Sequence, residues 1–391
     1  MGLKMLQLND LKHLKTVFYK RNQMPVYLIF YVTDRCNLKC NHCFYWDELN
    51  KKNEIPLEDI EKLTKNVKNL INVGFTGGEP FLRQDIDKII HYFFVNSGMR
   101  IASIPTNGTL TKLTLEKVDK VMSENPGLYM HISVSIDGSE KLHEEIRGME
   151  GCFTKSMETL AGLIELKRKH DKLDVGIICT LTGQNDSSIR EVFDYITENY
   201  KVDFFQINML RGKPKSAKLS NNSLKHYKEL LAETDRKIKE GKIGGYKILG
   251  GDIYTATNLV FREMLVKTFE TGQYQSPCYA GITNGIIYPT GDVFACEIRD
   301  DSKLGNLKDV DYDLRKLWFS PRADELRKDI KDNKCFCTFE CQLSTNVLFN
   351  PMQLAKTAVK YADIKVSKML NKANLTSKVP SPATSLEQAQ N

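Results

Sequence analysis

Six short apolar runs alternate with helix-patterned segments through the first half of this chain, and that alternation leaves few folds open. The runs are Val26 to Val32, Val73 to Thr76, Arg100 to Pro105, Tyr129 to Ile136, Asp174 to Leu181 and Asp203 to Leu210. Their length and apolar content suit buried strands. Between them, Leu57 to Ile71, Gln84 to Val95, Leu113 to Met122, Phe153 to Lys169 and Ser188 to Asn199 repeat apolar residues every three or four positions, the helical period. Such alternation predicts an α/β fold of parallel strands with right-handed crossovers. Six units make a partial barrel, open on one side. Ligands in such sheets bind at the carboxyl ends of the strands.

The chemistry-bearing residues fall at those ends. Cys36, Cys40 and Cys43 follow the first run in Cys36-Asn37-Leu38-Lys39-Cys40-Asn41-His42-Cys43. Three thiolates on one tight loop can hold three irons of a four-iron cluster and leave the fourth open, whereas closed electron-transfer clusters use four cysteines. The rival is structural zinc with His42 as fourth ligand. His42 adjoins Cys43, and neighbours rarely both reach one tetrahedral ion. The second run enters Gly77-Gly78-Glu79-Pro80, a turn whose glycines allow close backbone approach. The third leads to Thr106-Asn107-Gly108. The fourth ends in Ser133-Val134-Ser135-Ile136-Asp137-Gly138, where alternation puts Ser133, Ser135 and Asp137 on one face.

These motifs, in this order, resemble the radical S-adenosylmethionine (SAM) superfamily. The resemblance implies a partial (β/α)6 TIM-type barrel and a [4Fe-4S] cluster on Cys36, Cys40 and Cys43. In that family SAM chelates the open iron and is cleaved reductively to a 5′-deoxyadenosyl radical, which takes a hydrogen atom from substrate. By position, His42 would pack near the adenine, a departure from the usual aromatic. Gly77, Gly78 and Glu79 would bind the SAM amino group. Ser135 would contact the ribose or carboxylate, Arg147 would pair with the carboxylate, and Met209 would back the adenine. For Arg147 the plainer reading is a loop salt bridge.

Five more cysteines, Cys278, Cys296, Cys335, Cys337 and Cys341, lie toward the other end. Thr290-Gly291 between two apolar runs signals a hairpin, and Tyr312 to Ile330 has a helical apolar stripe. The arrangement resembles the SPASM and twitch extensions of radical SAM enzymes, small α+β units that bind auxiliary clusters. Five thiols imply one second [4Fe-4S] cluster with a thiol to spare. Cys278, Cys296, Cys337 and Cys341 are the first choice of ligands, with Cys335 close behind; the residues do not say which of the five is spare. A zinc ribbon is the alternative. Cys152 and Cys179 read as core residues, although Cys179 near a strand end could face the pocket as a hydrogen-atom donor.

Composition sets outer bounds. No run of ~18 apolar residues is present, so no membrane-spanning helix is expected. The two ends carry a net +9 against +7 for the whole chain, so the body shows no basic stripe for nucleic acid. Both ends carry helical apolar stripes: Leu8, Leu11, Leu14 and Phe18, then Met352, Ala355, Val359, Ala362, Val366 and Met369. They read as helices packed on the body, or as peripheral contact with an anionic membrane. The expected layout is an amphipathic helix over 1–24, the radical SAM core over 25–240, a linker over 241–274, and the auxiliary cluster domain over 275–347. A basic helix over 348–375 and a disordered tail over 376–391 complete it. No secretory leader is evident, and low-potential clusters need a reducing compartment, so a cytoplasmic location is expected.

The implied function is that of an oxidoreductase that cleaves SAM with an electron from a low-potential reductant such as flavodoxin or ferredoxin, and abstracts hydrogen from a small-molecule or peptide substrate. The auxiliary cluster would assist net oxidation. Only about twenty-five residues precede the first strand, so a leader-binding domain is not expected, and a peptide maturase acting without one is the alternative. A non-catalytic iron–sulfur carrier is the alternative of another class.

Overall fold

All six expected strands form and pair in chain order. The computed structural model describes residues 23–219, 224–248 and 251–377, with side chains to residue 371. The amphipathic stripe from Leu8 to Phe18 and the tail beyond 377 lie outside the described residues. Strands β1 (Tyr27–Thr33), β2 (Asn72–Gly77), β3 (Ile101–Thr106), β4 (Tyr129–Ser135), β5 (Leu173–Leu181) and β6 (Phe204–Met209) are parallel, each to the next. The crossovers carry α1 (Leu57–Asn66), α2 (Ile86–Ser97), α3 (Thr111–Glu124), α4 (Glu140–Arg147) with α5 (Cys152–Leu166), and α6 (Ile189–Asn199). Helix α1 stops five residues before its apolar pattern does. Val67 turns to extended backbone and Asn69 takes a positive φ, while Val67 and Leu70 stay fully buried.

The carboxyl-terminal unit extends this sheet. Strand β7 (Asn284–Ile287) lies parallel to β1, and β8 (Asp292–Phe294) and β9 (Lys303–Asn306) follow antiparallel. The result is one nine-stranded sheet in the order β6-β5-β4-β3-β2-β1-β7-β8-β9. The hairpin turn falls at Gly291, whose φ of 91° suits glycine. Helices α7 (Leu224–Lys239) and α8 (Gly251–Thr271) follow the sixth strand, so the stretch read as linker contains a largely buried helix. The single helix expected over Tyr312 to Ile330 is two, α9 (Leu314–Trp318) and α10 (Pro321–Asp332). Pro321 has no N–H to continue the first helix, and the Ser320 hydroxyl caps the second. Helices α11 (Glu340–Leu348) and α12 (Pro351–Ser377) are the last described elements, α12 lying against α7 and α8.

Alternation divides the barrel into two environments. Leu28, Phe30, Val32, Val73, Phe75, Ile132, Val134, Val175, Ile177, Phe205 and Ile207 face the helices in the main core. Ile29 and Tyr31 face inward, where they meet Ile286 and Phe339. The amino-terminal end is plugged by His131, which lies 3.1 Å from Asp174, and by stacked Phe204 and Tyr246. The carboxyl ends of the strands carry the candidate site.

Candidate active site

The cysteine loop is held from three sides. Its start is pinned by Asn50, which accepts from the Cys36 N–H through Oδ1 at 3.0 Å and donates back to the Cys36 carbonyl at 3.2 Å. Its middle is tied to the end of α4, where the N–H groups of Lys39 and Asn41 donate to the carbonyls of Arg147 and Ile146. Its far side is covered by the loop after β6, whose Lys215 and Ser216 N–H groups donate to the carbonyls of Cys43 and Asn41. Burial raises the thiols of Cys36 to about 12 and Cys43 to about 11. Iron must therefore displace protons as it binds.

The Gly77-Gly78-Glu79-Pro80 turn packs directly on this loop. The N–H groups of Gly78 and Glu79 donate to the carbonyls of Thr33 and Arg35, at 3.0 and 2.8 Å. A Cβ at Gly77 or Gly78 would stand 2.1 Å from those same carbonyl oxygens. The glycines are thus required first by contact between two backbone segments. With these amides spent, the turn's carbonyls are the groups able to accept from an amino group. The Glu79 side chain turns inward. It accepts from Phe81 N–H, the Thr106 hydroxyl and the Asn107 N–H, and burial lifts its carboxyl to about 7. Asn107 in turn donates to Asn37 at 2.9 Å, so the third strand-end turn also braces the cysteine loop.

Ser135 and Asp137 are buried at the end of β4. Asp137 accepts from Arg147 Nε at 2.6 Å and from the Thr180 N–H at 2.9 Å. Arg147 Nη1 lies 3.8 Å from Cys40 Sγ. One edge of the guanidinium is therefore engaged by Asp137, as the salt-bridge reading has it, and its other end reaches the Cys40 thiol. The His42 ring is held neutral by burial, its pKa lowered to about 4, and its Nδ1 is buried without a hydrogen-bond partner among the described residues. Met209 departs from expectation. It shares the helix-facing core with Phe205 and Ile207, and its N–H donates to Glu340 Oε1 at 2.7 Å. Gln206 and Asn208 occupy the inner face of that strand by alternation. Cys179 is likewise in the helix-facing core, fully buried, as is Cys152 in the wall of α5.

The carboxyl-terminal thiols divide four to one. Cys278, Cys296, Cys335 and Cys337 line one cavity of about 80 Å³ with Ala280, Ile298 and Arg299. Cys278 and Cys335 hydrogen-bond each other, which holds the Cys335 thiol low and the Cys278 thiol high. Cys341 stands apart. Like Cys337 it packs on the inner cluster with Ile29 and Tyr31, but it does so away from that cavity, against the Tyr27 hydroxyl and near Arg211, Glu297 and Glu340. Of the five thiols, Cys335, on the turn after α10, therefore lines the cavity with Cys278, Cys296 and Cys337, and Cys341 does not. Cys341 is the second residue of α11. Among the described residues no three His, Cys, Asp or Glu side chains converge on one metal ion.

Between the two thiol sets lies a constellation that sequence reasoning missed. Arg211, just past β6, is sandwiched between Phe44 and Phe339, 5.3 and 4.8 Å from the ring centres. Its Nη1 lies 3.7 Å from both Glu297 Oε2 and Glu340 Oε2, too long for hydrogen bonds, and has no hydrogen-bond partner there. Glu297 accepts from the Tyr31 hydroxyl at 2.5 Å, and Tyr31, Tyr45 and Tyr288 pack as a wall. The available signal was adjacency: Phe44 follows Cys43, Glu297 follows Cys296, and Glu340 precedes Cys341.

Comparison with known proteins places this geometry. Residues 30–196 match the Radical SAM superfamily profile, and residues 278–342 match the iron–sulfur cluster-binding SPASM domain. The chain thus carries a radical SAM domain followed by a SPASM domain. More particularly, it is a radical SAM enzyme with a SPASM domain, a class whose cofactors are a SAM-binding [4Fe-4S] cluster, SAM and auxiliary iron–sulfur clusters. It is 26% identical over 330 residues to the Fe-coproporphyrin III synthase of Methanosarcina barkeri, covering 81% of this chain and 78% of the relative. Its fold resembles Streptococcus suis SuiB bound to S-adenosylmethionine, with a TM-score of 0.57 at 21% identity over 82% of this chain and 72% of SuiB. It also resembles anSMEcpe with bound AdoMet, with a TM-score of 0.55 at 21% identity over 94% of this chain and all of that one. No helix among the described residues is long and apolar enough to cross a membrane.

Proposed function

We propose that Cys36, Cys40 and Cys43 hold the SAM-binding cluster, that Cys278, Cys296, Cys335 and Cys337 hold one auxiliary cluster, and that the enzyme oxidises a small polar substrate lodged between them. When bound, the open-iron cluster supplies the electron for reductive cleavage of SAM. The chain's residues supply placement. The carbonyls of the Gly77-Gly78-Glu79 turn receive the SAM amino group, and Ser135 its ribose or carboxylate. Arg147, fixed by Asp137, braces Cys40 and offers its remaining N–H groups to the SAM carboxylate. His42 packs against the adenine. Met209 stands behind the sheet and supports Asn208 rather than the ligand.

The observation that carries this reading is the position of Arg211. It links Phe44, beside Cys43, to Phe339, between Cys337 and Cys341, so both cysteine segments border one inner space. Arg211, Glu297 and Glu340 offer that space a donor and two acceptors, and the tyrosine wall offers a surface that excludes water. A peptide substrate remains the second reading, since a SuiB structure holds its precursor peptide SuiA. A flavodoxin- or ferredoxin-type reductant is part of the proposal. Peripheral membrane contact draws less support, because Lys360, Lys365 and Lys368 of α12 pair with Glu263 and Asp252 of the body.

Anaerobic reconstitution with SAM and dithionite tests the scheme. The wild type should release 5′-deoxyadenosine and bind about eight irons; Cys36→Ala should release none and keep about four. A protein that binds iron fully yet never cleaves SAM would return the carrier reading.

A further inference from the structure

Helix α12 packs inside out. Its polar side chains face the body: Gln353 and Thr357 are buried beside Ile364, Lys365 and Lys368 both bind Asp252, Lys360 reaches Glu263 at 2.9 Å, and Asp363 takes Lys239 at 2.7 Å. Its apolar side chains face outward. Met352 is 70% exposed, Val359 72%, Val366 55% and Met369 66%, with Ala355 and Ala362 exposed between them. These six positions step by three and four in strict alternation, which is the a/d pattern of a heptad. Thr357 and Ile364 fall at the opposite position, f, and are the residues turned to the body. This a/d stripe, flanked by exposed Ala358 at g and Leu370 at e, is the seam that receives another helix. A lipid or core face is the wider band of at least about 100°.

We propose that this seam pairs antiparallel with the same helix of a second copy about a two-fold axis. Antiparallel register places a residues opposite d residues. Val359 then meets Ala362 of the second copy, Val366 meets its Ala355, and Met352 meets its Met369. Every small residue faces a large one, as close packing requires. A parallel pair would stack valine on valine and alanine on alanine, leaving a void at each alanine layer. Charge agrees with the antiparallel arrangement. Lys356 and Asp363, both exposed at flanking e positions, face each other across the axis twice, with Asp363 shared between Lys356 and Lys239. The two-fold makes the contact self-closing.

Size sets the strength. The seam from Met352 to Met369 runs about 26 Å at 1.5 Å per residue on a helix about 10 Å wide. That footprint falls short of the ~800 Å² per partner of a standard interface, so the pair should dissociate in the micromolar range. Because α12 is already folded on the body, association does not pay for helix nucleation. The inference is independent of the proposed chemistry.

Sedimentation equilibrium of the anaerobically reconstituted full chain tests it, run from low to high micromolar concentration. The mass should rise toward twice 44.7 kDa. Val359→Lys, on an exposed position, should weaken association about 100-fold, because a lysine would be buried unpaired at the seam. Lys356→Asp should weaken it several-fold, and adding Asp363→Lys should restore it, which a parallel pair would not show. A monomer at every concentration overturns the proposal, as does a dimer indifferent to Val359→Lys. So does wild-type protein that pellets with phosphatidylserine vesicles while Val359→Lys does not, since the stripe then serves a membrane.

Discussion

Replacing Gly78 by alanine isolates what the glycine turn is for. The added Cβ would stand 2.1 Å from the Arg35 oxygen and 3.0 Å from Cys36 Cβ. The first neighbour is main chain and cannot rotate aside, so the turn and the cysteine loop must part by roughly 1 Å, an overpacking that costs about 1–3 kcal/mol. The same displacement stretches two hydrogen bonds, Gly78 N–H to Thr33 and Glu79 N–H to Arg35, worth about 1 kcal/mol each. The total is about 3–5 kcal/mol, concentrated at the first residue of the SAM-cluster loop. Gly98 is the control. Its φ is +69° but nothing lies within 4 Å of its would-be Cβ, so alanine there costs only the left-handed backbone, about 1–2 kcal/mol. Urea unfolding gives the stability difference, and iron content with electron paramagnetic resonance shows which cluster is lost. Gly78→Ala should keep about four auxiliary irons and lose those of the amino-terminal site. If Gly78→Ala matched Gly98→Ala in stability and held its full iron, the backbone-contact account would be wrong.

Cys341→Ala should retain about eight irons while Cys335→Ala retains about four, and the reverse result would restore the original ligand set. Arg147→Gln removes the cation 2.6 Å from the fully buried Asp137; breaking a buried pair should cost about 3–5 kcal/mol in denaturant unfolding. His143 is fully buried and its pKa is lowered by burial to about 4 from 6.5. The unfolded chain therefore binds the extra proton first, so this contribution to stability is complete above pH 6.5. It is lost as pH falls toward 4, by about 3 kcal/mol, measurable on cluster-free protein and absent from a His143→Gln variant.

Much of this architecture was legible in the residues. The strands announced themselves because each is a short apolar run ended by a polar turn, and both cysteine groups stood at such turns or on a hairpin. What was lost followed from the same physics. Met209 was assigned a ligand role by position along the chain, but period-two alternation with Phe205 and Ile207 turns it to the helices. Proximity in sequence groups Cys341 with Cys335 and Cys337, whereas the cavity that those two share with Cys278 and Cys296 leaves Cys341, on α11, outside its lining. Pro321, plain in the sequence, should have broken the long helix. Arg211 and its two glutamates escaped notice because their partners come from residues 44, 297, 339 and 340, and no local period links them.

The pairing of β7 with β1 also has a consequence for how the chain can be cut or assembled. The strand that leads into the first cysteines is interior only once residues from the last third arrive beside it. A fragment ending before residue 284 would leave β1 as a bare edge, with unpaired backbone groups ready to recruit another chain. Closure over so long a sequence separation is slow. During synthesis the Cys36–Cys43 loop therefore follows a strand whose second edge stays open until residues 284–287 have emerged.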